Sequence, residues 1–199
     1  MQTYSHLLIT AVLSDQIQRK KAVNPGKAFL LGSVLPDIPL FILSVGHLIS
    51  RRMNPGAVDS SLFGASFDTL YLTNPWWIAA HNLFHAPLLI LLYTGVGYGL
   101  LRQTVRPGWQ KWGRPLLWFA AGCGLHSLCD IFTHVTDGPV IFFPFNWHYR
   151  FRAPISYWDP RYGGRIFGPI ENVCDLGLLI YLGQHWWQGR KHLQRGQSR

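Results

Sequence analysis

Residues 115–135 read PLLWFAAGCGLHSLCDIFTHV, an apolar run that carries three ionisable side chains, His126, Asp130 and His134, each four residues from the next. In a helix, that spacing places all three on one face. An aspartate inside a membrane costs at least ~2.5 kcal/mol on the mildest scale, so Asp130 needs a partner. The run predicts an apolar helix with one polar, chemically competent face.

The whole chain leans the same way. Of 199 residues, 48% are apolar and only 14% charged, against about a quarter charged in soluble domains. The mean hydropathy of +0.10 points to a few spanning or half-buried helices. Net charge is +9, and the basic residues flank apolar segments: Arg19 to Lys21 with Lys27, Arg51 and Arg52, Arg102 to Arg114, and Arg190 onward. Such clusters suit anionic lipid headgroups. No zinc-finger, RNA-recognition or helix-turn-helix signature accompanies them, so no nucleic-acid partner is expected. The three cysteines form no CxxC pair and read as reduced, consistent with a site in or facing the cytoplasm. The N-terminus, MQTYSHLLITAVLSDQ, lacks the basic region and cleavage site of a secretory signal, so His6 is expected to stay in the mature chain.

Periodicity predicts a first helix over Thr3 to Ile17, broken by Asn24-Pro25-Gly26. The apolar stretch KAFLLGSVLPDIPLFILSVGHLIS is interrupted at Pro36-Asp37-Ile38-Pro39, which predicts a kinked or split helix. Arg51 to Pro75 reads as a loop with a short helical piece. Trp76 to Leu101 has no Lys, Arg, Asp or Glu and is long enough to cross a bilayer at ~20 residues per span. A basic connector, Arg102 to Arg114, leads to the helix from Pro115 to Val135, which Asp137-Gly138-Pro139 ends. Ile141 to Phe167 reads as an irregular, aromatic-rich loop, and Pro169 to Trp187 as a last helix. The expectation is an all-α, membrane-associated bundle of about five helices, with residues 1–187 as one domain and 188–199 as a basic solvated tail.

Two helices each present a pair of metal-ligand side chains at four-residue spacing, His81 with His85 in HNLFH and His126 with Asp130. Helical bundles build metal sites in this way. A single histidine in an apolar helix is more often a hydrogen-bonded core residue, but two matched pairs shift the balance to ligation. Asp37, in the LPDIP break, is a candidate base or bridging ligand, with a helix N-cap as its structural role. His134 stands at a helix end, where a cationic imidazole would suit the helix dipole. His134, His148, Glu171 and Asp175 form a second tier. Arg150, Arg152, Arg161 and Arg165 suit an anionic group or a lipid surface, and Ser156 to Pro160 reads as a specific turn.

The order of these features, His6 in a short first helix, LLGSVLPDI with Asp37, HNLFH, and HSLCDIFTH followed by DGP and FFPF, resembles the membrane-bound metal-dependent hydrolase family of bacterial inner-membrane proteins, which is similar to zinc-dependent phospholipase C. The likeness runs from His6 to about Trp158. It implies a helical fold in the bacterial inner membrane, a cluster of His and Asp ligands for zinc, manganese or iron, and hydrolysis as the activity. Position by position, His6, Asp37, His85, His126 and Asp130 match, with His81 as the alternative donor. Many members carry a run resembling HRGxTHS where this chain has HNLFHAP, which leaves the substrate class open. Glu171 and Asp175 stand where phospholipase-type enzymes use a His and a Glu for a further metal, so a three-metal site is not supported.

The expected function is hydrolysis of a phosphoester or other ester of an amphiphile, at one or two metals held by His6, His81 or His85, His126 and Asp130, with membrane lipid as a partner. Two rivals make different demands. A haem protein needs only two imidazoles and gives Asp130 no role. A non-catalytic metal clamp needs the full donor set but no turnover.

Overall fold

The computed structural model describes residues 1–21, 23–53 and 65–197. Eight α-helices are found among them: α1 Thr3–Lys21, α2 Gly26–Val34, α3 Asp37–Met53, α4 Ala65–Thr73, α5 Pro75–His85, α6 Pro87–Arg102, α7 Pro107–Thr133 and α8 Gly164–Gln197. The only strand-like pairing among the described residues is one antiparallel bridge between Val140 and Arg150. The all-α expectation holds, and prolines account for most of the higher helix count.

The LPDIP break separates α2 from α3, which are bent by 41°. The segment expected as one span from Trp76 is also broken, because Ala86 takes an extended conformation (φ −64°, ψ 122°) before Pro87, leaving α5 and α6 bent by 48°. Asn74 caps α5, accepting from the Trp76 and Trp77 amides at 3.0 and 3.4 Å. Conversely, Pro115 does not begin a helix. It lies inside α7, which starts at Pro107 and absorbs most of the expected basic connector. Proline inside an apolar helix is tolerated where neighbouring helices re-satisfy the backbone.

Part of the loop expected from Arg51 to Pro75 lies outside the described residues; its described part contains α4. The last helix starts five residues before Pro169 and continues through the expected tail to Gln197.

Among the described residues two helical segments, Gly108–Thr133 and Gly164–Arg190, are long and apolar enough to span a membrane, and the bent pairs α2–α3 and α5–α6 raise the number to four if each is one span. Burial is inverted relative to a soluble domain. Ser5, His6, Thr10, Ser33, Asn82, His85 and His126 are buried, while Phe41, Ile42, Leu91, Leu92, Val173 and Leu176 are exposed. Such a surface suits lipid. A small apolar core of Ile78, Ala86, Val140 and Phe143 joins α5 to the loop after α7.

The helix directions follow from the contacts. Gly97 and Gly113 each face the opposite helix across α6 and α7, which run antiparallel. Gly32 of α2 sits against the Phe119–Cys123 backbone, with the two helices parallel. A Cβ at Gly32 would collide with the Phe119 carbonyl oxygen, and one at Gly122 with the Phe29 carbonyl oxygen. Only glycine permits this approach. It brings Ser33, the next residue, against His126.

The loop after α7 folds back on that helix. The Tyr157 amide donates to the Thr133 carbonyl at 3.0 Å and the Ala153 amide to that of His134 at 3.4 Å, so the last turn of α7 is capped from outside. The turn expected at Ser156 to Pro160 is present. Ser156 Oγ accepts from the Trp158 and Asp159 amides, and Asp159 Oδ1 from the Arg161 amide.

Candidate metal centre

Asp37, His85, His126 and Asp130 converge in the interior, each offering one donor atom, and the four donor atoms lie within 4.8 Å of one another. They come from three helices: Asp37 is the first residue of α3, His85 the last of α5, and His126 and Asp130 share a face of α7. The LPDIP break and the Ala86-Pro87 break each deliver one of these donors. His85 Nε2 is 3.0 Å from His126 Nε2, 3.4 Å from Asp130 Oδ2 and 3.5 Å from Asp37 Oδ1. His126 Nε2 is 3.0 Å from Asp130 Oδ2 and 3.3 Å from Asp37 Oδ1.

The tautomers are fixed from behind. His85 Nδ1 is 2.7 Å from the His81 carbonyl, and His126 Nδ1 is 2.7 Å from the Ser33 carbonyl. A carbonyl only accepts, so each Nδ1 carries the proton and each Nε2 points a lone pair into the cluster. With both rings neutral, two bare imidazole nitrogens and two carboxylate oxygens therefore face one another with no donor between them among the described residues. Lone pairs so arranged repel unless a metal ion or ring protons sit among them. Donors 2.0–2.2 Å from a tetrahedral centre stand roughly 3.3–3.6 Å apart; five of the six edges here, at 3.0–3.5 Å, come close to that, and the two carboxylate oxygens lie within 4.8 Å of each other. The donor chemistry and spacing fit a metal ion.

The carboxylates are held as firmly as the imidazoles. Asp130 Oδ1, turned away from the cluster, accepts from His6 Nε2 at 3.0 Å and from the Met1 amino group at 2.8 Å. Asp37 Oδ2 accepts from Thr3 Oγ1 at 2.5 Å. Ser127 Oγ donates to the His85 carbonyl that the helix break leaves free, at 2.5 Å. Both histidine side chains are 0% exposed and Asp130 is 7% exposed, whereas Asp37 is 26% exposed. The cluster opens on the Asp37 side.

The structure sorts the sequence candidates. His81 lies one turn behind His85, its ring stacked at 4.2 Å, and contributes its carbonyl; neither ring nitrogen has a hydrogen-bond partner among the described residues. His6 stands beside the four donors, stacked on the His126 ring at 3.7 Å and bonded to Asp130. Burial holds the His6 imidazole below its ordinary range, against the pull of Asp130.

His134 Nδ1 lies 3.0 Å from the Asp130 carbonyl, and burial lowers its pKa. The imidazole stands at the helix end, where its Nδ1 donates to a carbonyl of the last turn. His148 is exposed on the loop. Glu171 and Asp175 are buried, and they anchor α1: Glu171 Oε1 accepts from the Gln2 amide at 2.8 Å and Asp175 Oδ2 from Ser5 Oγ at 2.7 Å.

Sequence reasoning passed over Thr3, Ser33 and Ser127. Thr3 and Ser127 act through hydroxyls and Ser33 through its carbonyl, and none carries a metal-ligand signature. The glycines in LLGS and AAGCG were the available signal for the α2–α7 contact.

A family profile described as YdjM inner membrane protein matches residues 1–193. The chain belongs to the YdjM inner membrane protein family. No curated protein and no solved structure matches the chain. The YdjM description gives a location, the bacterial inner membrane, and agrees with the two to four candidate spans. It names no chemistry. What a YdjM protein of this sequence adds is the His/Asp cluster able to hold a metal ion.

Proposed function

We propose that the protein is a membrane-embedded, metal-dependent hydrolase acting on an ester or phosphoester of an amphiphile. The observation that supports this most is the convergence of two imidazole nitrogens and two carboxylate oxygens on one gap, with each ring held by a carbonyl at its Nδ1. Asp37, His85, His126 and Asp130 would hold the ion. Zinc is the first choice, since two imidazoles and two carboxylates at near-tetrahedral spacing suit it, with manganese or iron as alternatives. A divalent ion there supplies Lewis acidity, which acidifies water and stabilises charge on an attacked ester centre.

The chain's own residues divide the remaining work. His81 and Ser33 fix the imidazoles through their carbonyls, and His6 orients Asp130 through Oδ1. Asp37, the most accessible donor, faces the incoming substrate. Its Oδ1 faces the cluster as a donor to the ion, so Oδ2, held by Thr3, is the oxygen that can take a proton from the attacking water.

One observation favours a second reading, a metal that only clamps helices: three of the four donors are buried, and the donors tie three helices together. A haem between His85 and His126 fits poorly, because axial imidazoles stand on opposite faces of a macrocycle. Here the nitrogens are 3.0 Å apart in a gap shared with two carboxylates.

The test is turnover of a panel of phosphoesters and carboxylic esters by protein purified in detergent or nanodiscs. Chelator-sensitive turnover that Asp130→Ala abolishes is the expected result. Stoichiometric metal without turnover of any substrate would favour the clamp. If Asp37→Asn kept both metal and turnover, Asp37 would not be the base.

A further inference from the structure

The contacts assign the connections and the ends of the long helices to two ends of the molecule. The cluster, the last turn of α7, the start of α8 and the loop between them lie at one end, fixed by Asp130 with His6, Glu171 with Gln2 and Tyr157 with Thr133. The end of α3 and the start of α5 lie on the same side, since α2 runs parallel to α7, the 41° bend carries α3 onward past the cluster, and His47 of α3 meets Trp77 at 6.0 Å while Asp37 meets His85. The α1–α2 and α6–α7 connections and the end of α8 lie at the other end, where Tyr181 and His185 each reach Asp15 at 3.2 Å.

Basic residues are unequally divided between these ends. Arg51, Arg52, Arg150, Arg152, Arg161 and Arg165 are at the cluster end. The far end holds eleven of the seventeen Lys and Arg within the described residues: Arg19, Lys20, Lys21 and Lys27 around the first connection, Arg102, Arg106, Lys111 and Arg114 around the second, and Arg190, Lys191 and Arg195 along α8. Two short connections thus carry four basic residues each. Lys and Arg near span ends in short connections mark the cytoplasmic side of an inner-membrane protein.

Aromatic residues mark both interfaces. At the far end, Arg106 stacks on Trp109, Lys111 on Trp112 and Arg190 on Trp186. At the cluster end, Phe142, Phe145, Tyr149 and Trp158 are exposed along the loop. Aromatic belts of this kind sit at headgroup level.

We infer that the His/Asp cluster opens toward the outer, periplasmic face of the inner membrane, with the aromatic and arginine-bearing loop at residues 134–163 against the outer leaflet. This reverses the cytoplasmic reading of the cysteines. Cys123, Cys129 and Cys174 all lie within the two long apolar helices, so their free state reports no compartment. Sidedness is independent of turnover; that an ester substrate arrives from the outer side rests on the proposed hydrolase.

Two exposed positions test it in the full chain with its three cysteines replaced by alanine. Phe145→Cys reports the cluster-end loop and Val105→Cys the α6–α7 connection; Phe145 is 87% and Val105 84% exposed. A membrane-impermeant maleimide added to intact spheroplasts should label Phe145→Cys at least tenfold more than Val105→Cys, with equal labelling after permeabilisation. The reverse pattern, or equal labelling before permeabilisation, would overturn the inference.

Where the cysteine-free chain does not accumulate, C-terminal fusions of the native sequence give the answer. A fluorescent protein that matures only in the cytoplasm should glow, and alkaline phosphatase should be inactive. An active phosphatase with a dark fluorescent fusion would overturn it.

Discussion

His85 Nε2 and His126 Nε2 stand 3.0 Å apart, and because each ring gives its Nδ1 proton to a backbone carbonyl behind it, neither can donate to the other as a neutral imidazole. The two rings come from helices of opposite direction, and Asp37 and Asp130 close the same gap. Nothing in hydrophobic packing requires such an arrangement. A shared metal ion, or ring protons shared with the two carboxylates, accounts for it.

His81 and His85 should separate cleanly. His85→Ala removes a donor and should abolish metal binding. His81→Phe keeps the backbone carbonyl that holds His85, so it should keep metal affinity within a few-fold. Titration of the apo-protein with zinc against a competing chelator checks both.

Gly122→Leu is expected to weaken metal binding although Gly122 ligates nothing. A side chain there meets the Phe29 carbonyl oxygen, pushes α2 from α7 and withdraws the Ser33 carbonyl from His126. Loss of a partner behind a ligand costs about 10–100-fold in affinity. Gly124→Ala is the control, since its nearest atom would be Ile90 Cγ2 at an ordinary 3.7 Å.

Glu171→Gln and Asp175→Asn should leave metal stoichiometry unchanged. Both carboxylates accept hydrogen bonds from α1, and an amide oxygen accepts the same bonds. A fall in metals per chain in either variant would show that the pair ligates.

Asn82→Leu should lower stability without touching the donors. Asn82 is fully buried, and its Oδ1 accepts from the buried Val140 amide at 2.7 Å while Nδ2 donates to the Ile78 carbonyl at 2.8 Å. Stranding that amide costs about 1–3 kcal/mol. Thermal unfolding in detergent should show a lower midpoint, with metal still bound at low temperature.

The sequence made His126 and Asp130 legible, because four-residue spacing in an apolar run is a local fact about one helix. Asp37 was legible for a similar reason, its place between two prolines. Which histidine of HNLFH faces the cluster was not. Both share a face of α5, and the choice depends on how far the break at Ala86 lets the end of α5 approach α7. That break was underestimated, since Pro87 sits in a run whose hydropathy alone reads as one span. Ser33 and Thr3 were out of reach for another reason: their roles come from contacts between α2 and α7 and between α1 and α3. Periodicity describes the face of one helix and carries no information about its neighbour.

Metal content per chain is the first measurement to make, on detergent-purified wild type beside His126→Ala and Asp130→Ala. The expected result is close to one zinc, manganese or iron per wild-type chain, lost in both variants. Wild-type protein that binds no metal when supplied with these ions, with both variants equally stable, would contradict a metal centre and reduce the four-residue spacing to core packing.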